Sequence, residues 1–229
     1  MSVLVATRTF QCGAVLAAVL ATGCASWMSK LDVKQAALER ERYGATADHR
    51  IEDFQAKAAV AKQEGGAKEI EFARGLTAAL LAEHDPRVRV AIVEAAAGFD
   101  APTAVAICKG ALDDPDVRVR MAACEAWRKR GGPEAVALLA ARYEADTEID
   151  VRLKALRELG YLGDPQAIPA LARALEDPDP AVQYRAVGAL RQVSGRDLGD
   201  DVNAWRTWTA DPNAEGTEWT IAEGFRKVF

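Results

Sequence analysis

The stretches DPDVRVRMAACEAW (114–127), DTEIDVRLKALREL (146–159) and DPDPAVQYRAVGAL (177–190) are three copies of one pattern. Val119, Val151 and Val182 occupy the same place in each, at steps of 32 and 31, and Val88 stands 31 residues before the first. A unit of this length cannot bury its own apolar face, so neighbouring units must stack into a continuous core. Counting from the anchor Val, positions +0, +4, +5 and +8 are apolar: Val119, Ala123, Cys124, Trp127; Val151, Ala155, Leu156, Leu159; Val182, Ala186, Val187, Leu190. That spacing draws one stripe along a 3.6-residue helix. Asp114, Asp146 and Asp177, five residues before each anchor, read as turn or N-cap residues.

A second helix follows the first in each copy. Ala104-Val105, Ala135-Val136 and Ala167-Ile168 recur at 31 and 32, then Cys108, Leu139 and Leu171, then Leu112, Tyr143 and Leu175. Gly131-Gly132-Pro133 and Gly163-Asp164-Pro165 separate first from second helices, as glycine C-caps and proline helix starts do. Helix pairs are therefore expected over about 86–112, 115–143 and 148–175, with a first helix over 179–194 that lacks a second of the same pattern. Upstream, 50–63 and 67–85 read as a degenerate capping pair ended and restarted around Gly65-Gly66, with Leu81 placed 31 residues before Leu112. The expected architecture is all-α, an α-solenoid of about four to five antiparallel helix pairs with terminal caps.

The first residues, MSVLVATRTFQCGAVLAAVLATGCASW, carry Arg8, an apolar stretch from Cys12 to Ala21, and small residues before Cys24. That order is a secretory signal, too short for a membrane span. It resembles a bacterial lipoprotein signal, with Ala21 where Leu is commonest. The resemblance implies cleavage after Gly23, a lipid anchor on Cys24, and, from Ala25, the periplasmic face of the outer membrane. An ordinary signal peptide with an incidental Cys is the other reading. The expected division is a signal peptide over 1–23, a tether over 24–49, the repeat solenoid over 50–194, and a C-terminal cap and tail over 195–229.

With 29 basic against 34 acidic side chains, the chain lacks the electrostatic footprint of a nucleic-acid binder. His49 and His84 are the two histidines and neither has ligands at metal spacing. No Ser or Cys nucleophile is paired with a local base, and no glycine-rich phosphate loop precedes a helix. Cys108 and Cys124 stand where other copies carry Leu or Val and read as core thiols, a disulfide between them being the alternative. No residue pattern calls for a cofactor.

The phased elements DPDVRVR (114–120), DVRLKAL (150–156) and DPDPAV (177–182), with Gly-Asp-Pro before a second helix, resemble short bacterial HEAT-like repeats over about 67–194. The resemblance implies a curved stack of helix pairs, and an Asp–Arg ladder between adjacent turns in which Arg89, Arg120 and Arg152 match and Gln183 departs. The segment SGRDLGDDVNAWRTW (194–208) is similar to a closing segment of such proteins. Trp205 and Trp208 share one face of a helix beginning near Asp201 and are expected to cap the stack, a ligand-binding aromatic pair being the alternative.

The expected function is a noncatalytic, lipid-anchored scaffold or adaptor in the cell envelope that binds a protein or peptide partner. Alignment of the second helices puts Lys109, Leu138, Arg142 and Arg173 on an inner strip that reads first as a solvated face, the alternative being a site suited to an extended peptide or an acidic edge. The alternative, by family analogy, is a substrate-gripping lyase or chaperone-like protein resembling the phycobilin lyases.

Overall fold

The computed structural model describes residues 34–35, 37–38, 41–42 and 44–211. The expected signal, Cys24, most of the tether, and the tail aromatics Trp219, Phe225 and Phe229 lie outside the described residues. Two compact units are distinguished, Met1–Arg50 and Ile51–Phe229. In the first, Arg50 Nη1 donates to the Ala45 carbonyl at 2.8 Å, and the His49 N–H donates to Thr46 Oγ1 at 3.3 Å, securing the start of a helix.

That helix, α1 (Ala47–Glu64), continues into the second unit. There follow α2 (Ala67–Ala82), α3 (Pro86–Ala96), α4 (Pro102–Gly110), α5 (Val117–Arg130), α6 (Gly132–Ala145), α7 (Ile149–Leu162), α8 (Ile168–Leu175), α9 (Pro180–Ser194) and α10 (Val202–Ala210). Short 3-10 turns cover Ala111–Asp113 and Pro165–Ala167. There are no strands among the described residues. The chain is an all-α stack of helix pairs, and α10 takes the second-helix place that the repeat pattern leaves open after α9.

The four anchor valines, Val88, Val119, Val151 and Val182, are all fully buried. So are the +4, +5 and +8 residues, down to Trp127, which closes its unit by donating its indole N–H to the Cys108 carbonyl at 3.1 Å. First helices pack on one another in order, α3 on α5, α5 on α7 and α7 on α9. Gly160 of α7 stands close against α9, where a side chain would meet the Ala189 main chain at 2.9 Å. At the far end, α10 packs on α8 and α9, burying Trp205 completely.

Of the two readings of the Asp five residues before each anchor, turn residue or N-cap, the structure has the turn, and the caps stand two residues on where there is a side-chain cap. Asp114, Asp146 and Asp177 accept from the N–H two residues on, closing a turn. The caps are Asp85, Asp116 and Asp179, whose carboxylates accept from Arg87, Arg118 and Ala181 N–H at 2.8–2.9 Å. In the α7 unit the cap position is Glu148, which makes no side-chain cap bond. The division of labour leaves the second oxygen of each turn Asp free for a neighbouring unit.

Leu81 requires a correction. Its 31-residue offset from Leu112 suggests a core position, yet Leu81 is 83% exposed while Leu112 is buried. The chain after α4 tightens into the 3-10 turn at Ala111–Asp113, which rotates Leu112 inward. Helix α2 instead runs without that turn to Ala82, so its buried residues are Ala73 and Leu76, and Leu81 faces out.

Candidate interaction surface

The first helices α3, α5 and α7 each reach into the next unit through the residue after the anchor. Arg89 donates from Nε and Nη2 to Asp114 at 3.0 and 2.8 Å, and Arg120 does the same to Asp146 at 2.8 and 3.0 Å. Arg152 pairs with Asp177, which also accepts from the Tyr143 hydroxyl at 3.2 Å. These guanidinium heads also bond main-chain carbonyls of their own turn, Arg89 to His84 and Arg120 to Asp114 and Pro115. Gln183 keeps only that local bond, donating to the Asp177 carbonyl at 2.7 Å. The ladder joins four successive units and stops at the last.

The ladder is most deeply buried at Asp146, whose side chain is 2% exposed. Burial pushes its carboxyl up, but hydrogen bonds from Arg120, the Glu148 N–H and Arg142 together outweigh this and hold it below the ordinary carboxylate value. Fork-to-fork Arg–carboxylate pairs of this kind fix geometry as well as energy.

The second-helix strip carries its basic residues in pairs rather than free. Lys109 of α4 lies 3.4 Å from Glu134 of α6, and Arg173 of α8 donates from Nε to Glu144 of α6 at 2.8 Å. Arg142 is 15% exposed and is held between Asp113 and Asp146. Leu138 is half-buried. Arg206 of α10 extends the series, with Nε 2.8 Å from Glu176 and a further bond to the Leu175 carbonyl. This face therefore presents alternating, mutually neutralised charge.

A second cluster lies on the first-helix side and was not singled out from the sequence. Glu158 of α7 is 2% exposed, with Lys154 Nζ 3.0 Å and Arg157 Nε 3.5 Å from Oε1 and Arg128 Nε of α5 2.6 Å from Oε2. Lys154, itself 9% exposed, also donates to Glu125 at 2.9 Å, and Lys129 lies 3.1 Å from the same carboxylate. Lys154 and Lys129 pull the Glu125 carboxyl down to about 2. Four cations thus surround two carboxylates, and with Tyr161 five of these side chains line an open cavity of about 550 Å3. The signal was present in the repeat: Glu158 sits at +7 from its anchor, where the other three units have Ala95, Ala126 and Ala189. Reading only the apolar positions of the stripe passes over the one copy that breaks it.

Cys108 and Cys124 are both free and buried. Burial pushes their thiols up to about 11 and about 12, so neither is an available nucleophile at neutral pH. Trp205 donates to the Gly199 carbonyl at 2.8 Å and meets Trp208 edge to face, centroids 5.7 Å apart. Arg196 lies over the Trp208 ring at 5.7 Å. Trp205 is packed against the end of the stack, and Trp208 is half-buried beside it. His84 is exposed, and among the described residues no group of His, Cys, Asp or Glu has metal-binding geometry. No described helix is long and apolar enough to cross a membrane.

No curated protein matches the sequence. A family model of HEAT repeats matches residues 73–152 and 140–215, two overlapping stretches that together span the ladder, both charged faces and the α10 closure. HEAT repeats commonly mediate protein interactions. With the match covering well over half of the chain, and with stacked helix pairs joined by a buried Arg–Asp ladder, the chain belongs to the HEAT-repeat family.

Proposed function

We propose that this chain is a noncatalytic scaffold or adaptor of the bacterial cell envelope, anchored by acyl chains on Cys24 at the periplasmic face of the outer membrane. The observation that carries the scaffold reading is the stack itself. Buried anchors and an inter-unit ladder hold successive helix pairs in fixed register, which makes a rigid, extended platform from units that are unstable alone. The two thiols are buried and protonated, and the basic residues of the second-helix strip are engaged by acidic neighbours, features of a framework. The acidic overall balance supports a protein or peptide partner over a nucleic acid.

The anchoring part rests on Ala21-Thr22-Gly23-Cys24 and is tested separately. Cys24→Ser expressed in a Gram-negative host should abolish labelling by a fatty-acid analogue and move the protein from the membrane pellet to the soluble envelope fraction. Unchanged partitioning and labelling would remove the anchor from this reading and leave the scaffold to stand on the repeat alone.

A further inference from the structure

We propose that the Glu158 cluster between α5 and α7 is the docking point for a carboxylate-rich segment of a partner protein. This deepens the scaffold reading and rests on it. The argument begins with an oddity of placement. At +7 from the anchor, Ala126 and Ala189 are buried and apolar, and an Ala in α7 would suit the same first-helix packing. Glu158 instead is a carboxylate at 2% exposure, a poor choice for stability because an ion must be taken out of water there. What it accomplishes is positional. One buried anion draws Arg128, Lys154 and Arg157 from two helices to a single point and holds their long side chains ordered.

The cations exceed what the two carboxylates can absorb. Arg128, Lys129, Lys154 and Arg157 face Glu125 and Glu158; the buried Nε atoms of Arg128 and Arg157 point at Glu158, which leaves the outer ends of the two partly exposed side chains for a ligand. The side chain of Arg157 is 40% exposed, and that of Arg128 31%. They stand at a cavity of about 550 Å3 with the exposed ring of Tyr161 beside them, room for side chains and not a single ion. Surplus donors, fixed in advance, with an aromatic neighbour, suit the carboxylates of Glu or Asp side chains, which Arg grips in a bidentate fork. On an acidic protein such a basic spot is also a means of orienting an acidic partner as it approaches. The second-helix strip offers no equivalent, since its Lys109, Arg142 and Arg173 have acidic partners from the neighbouring unit.

The test uses the full chain and a fluorescent deca-glutamate peptide as probe, read by anisotropy at low salt. The wild type should bind it saturably, and binding should fall on adding salt. Arg157→Gln should weaken it about tenfold, Arg157→Glu should abolish it, and Arg157→Lys, which keeps the charge but not the fork, should retain only part of it. Lys109→Glu with Arg173→Glu, which changes charge by twice as much as Arg157→Glu but on the other face, should change affinity less than twofold. Circular dichroism verifies that each variant folds, and Arg157→Gln serves if charge reversal does not. No saturable binding by the wild type, binding unaffected by Arg157→Glu, or equal loss from the Lys109/Arg173 pair would overturn the proposal. So would sedimentation showing that the wild type self-associates through Arg157, which would make the occupant a second copy. A native partner captured equally by wild type and Arg157→Glu would overturn this docking point while leaving the scaffold reading intact; loss of every partner from the wild type would sink the scaffold reading instead.

Discussion

Replacing Gly160 by Ala should destabilise the stack, although an alanine is ordinarily the better helix former. Gly160 lies in the last turn of α7, where a methyl group gains at most about 1 kcal/mol of helix propensity. The same methyl would stand 2.9 Å from Ala189 Cα and 3.0 Å from its Cβ, and 2.5 Å from Gln192 Oε1. The Gln192 side chain can swing away; the Ala189 main chain moves only if α9 shifts as a body. Overpacking of that kind costs about 1–3 kcal/mol, and contact with main chain places it in the upper part of the range. The net effect is a loss of about 1–2 kcal/mol. In a chain of this size that lowers Tm by about 2–8 °C. Gly188, in the middle of α9, is the internal comparison, because nothing lies within 4 Å of its added Cβ. There the propensity gain is unopposed, and Gly188→Ala should stabilise by about 0.5–1 kcal/mol. Thermal and urea unfolding of both variants in a Cys24→Ser background reads the two signs side by side. If Gly160→Ala is as stable as Gly188→Ala, α7 and α9 are not packed as described.

Asp146→Ala removes the receptor for Arg120 and Arg142 and leaves buried guanidinium charge unpaired, so a loss of about 3–5 kcal/mol is expected in urea unfolding. Gln183→Ala, which removes one local bond and no inter-unit pair, should lose only about 1 kcal/mol. Glu125 titrates in the folded chain near 2 rather than its ordinary 4.5, so the stability it contributes is complete above 4.5 and is lost as pH falls through about 2. Glu125→Gln should flatten the unfolding midpoint over that acid interval, and an unchanged slope would count against the Lys154–Glu125 contact. In a Cys24→Ser chain lacking residues 1–23, Cys108 and Cys124 should fail to react with a thiol reagent at pH 8 until the chain is unfolded, and then both should react.

The helix pairs were legible in the sequence because a 31- to 32-residue period fixes which residues must be buried. All four anchors and their +4, +5 and +8 partners fill the core. The ladder was legible through its family resemblance, and the α10 closure through Trp205 and Trp208. What escaped was of two kinds. Leu81 and the true N-caps depend on local backbone geometry, a 3-10 turn in one place and a two-residue offset in another, to which a period is blind. The Glu158 cluster depends on long side chains from α5 and α7 meeting across 30 residues, and charged residues on a helix face ordinarily signify solvent. The pairing of Lys109, Arg142 and Arg173 escaped for the same reason: a basic residue read alone shows no neighbour.

The claim that this stack is a platform for another protein is tested most directly by purifying the full chain from native membranes through an affinity tag. Quantitative mass spectrometry then identifies what accompanies it after mild crosslinking. The account predicts one protein partner in near-stoichiometric amount, recovered also by the Cys108→Ala/Cys124→Ala chain and carrying no chemical change made by this protein. Recovery of the chain alone, or of a small molecule held tightly without any protein, would contradict it.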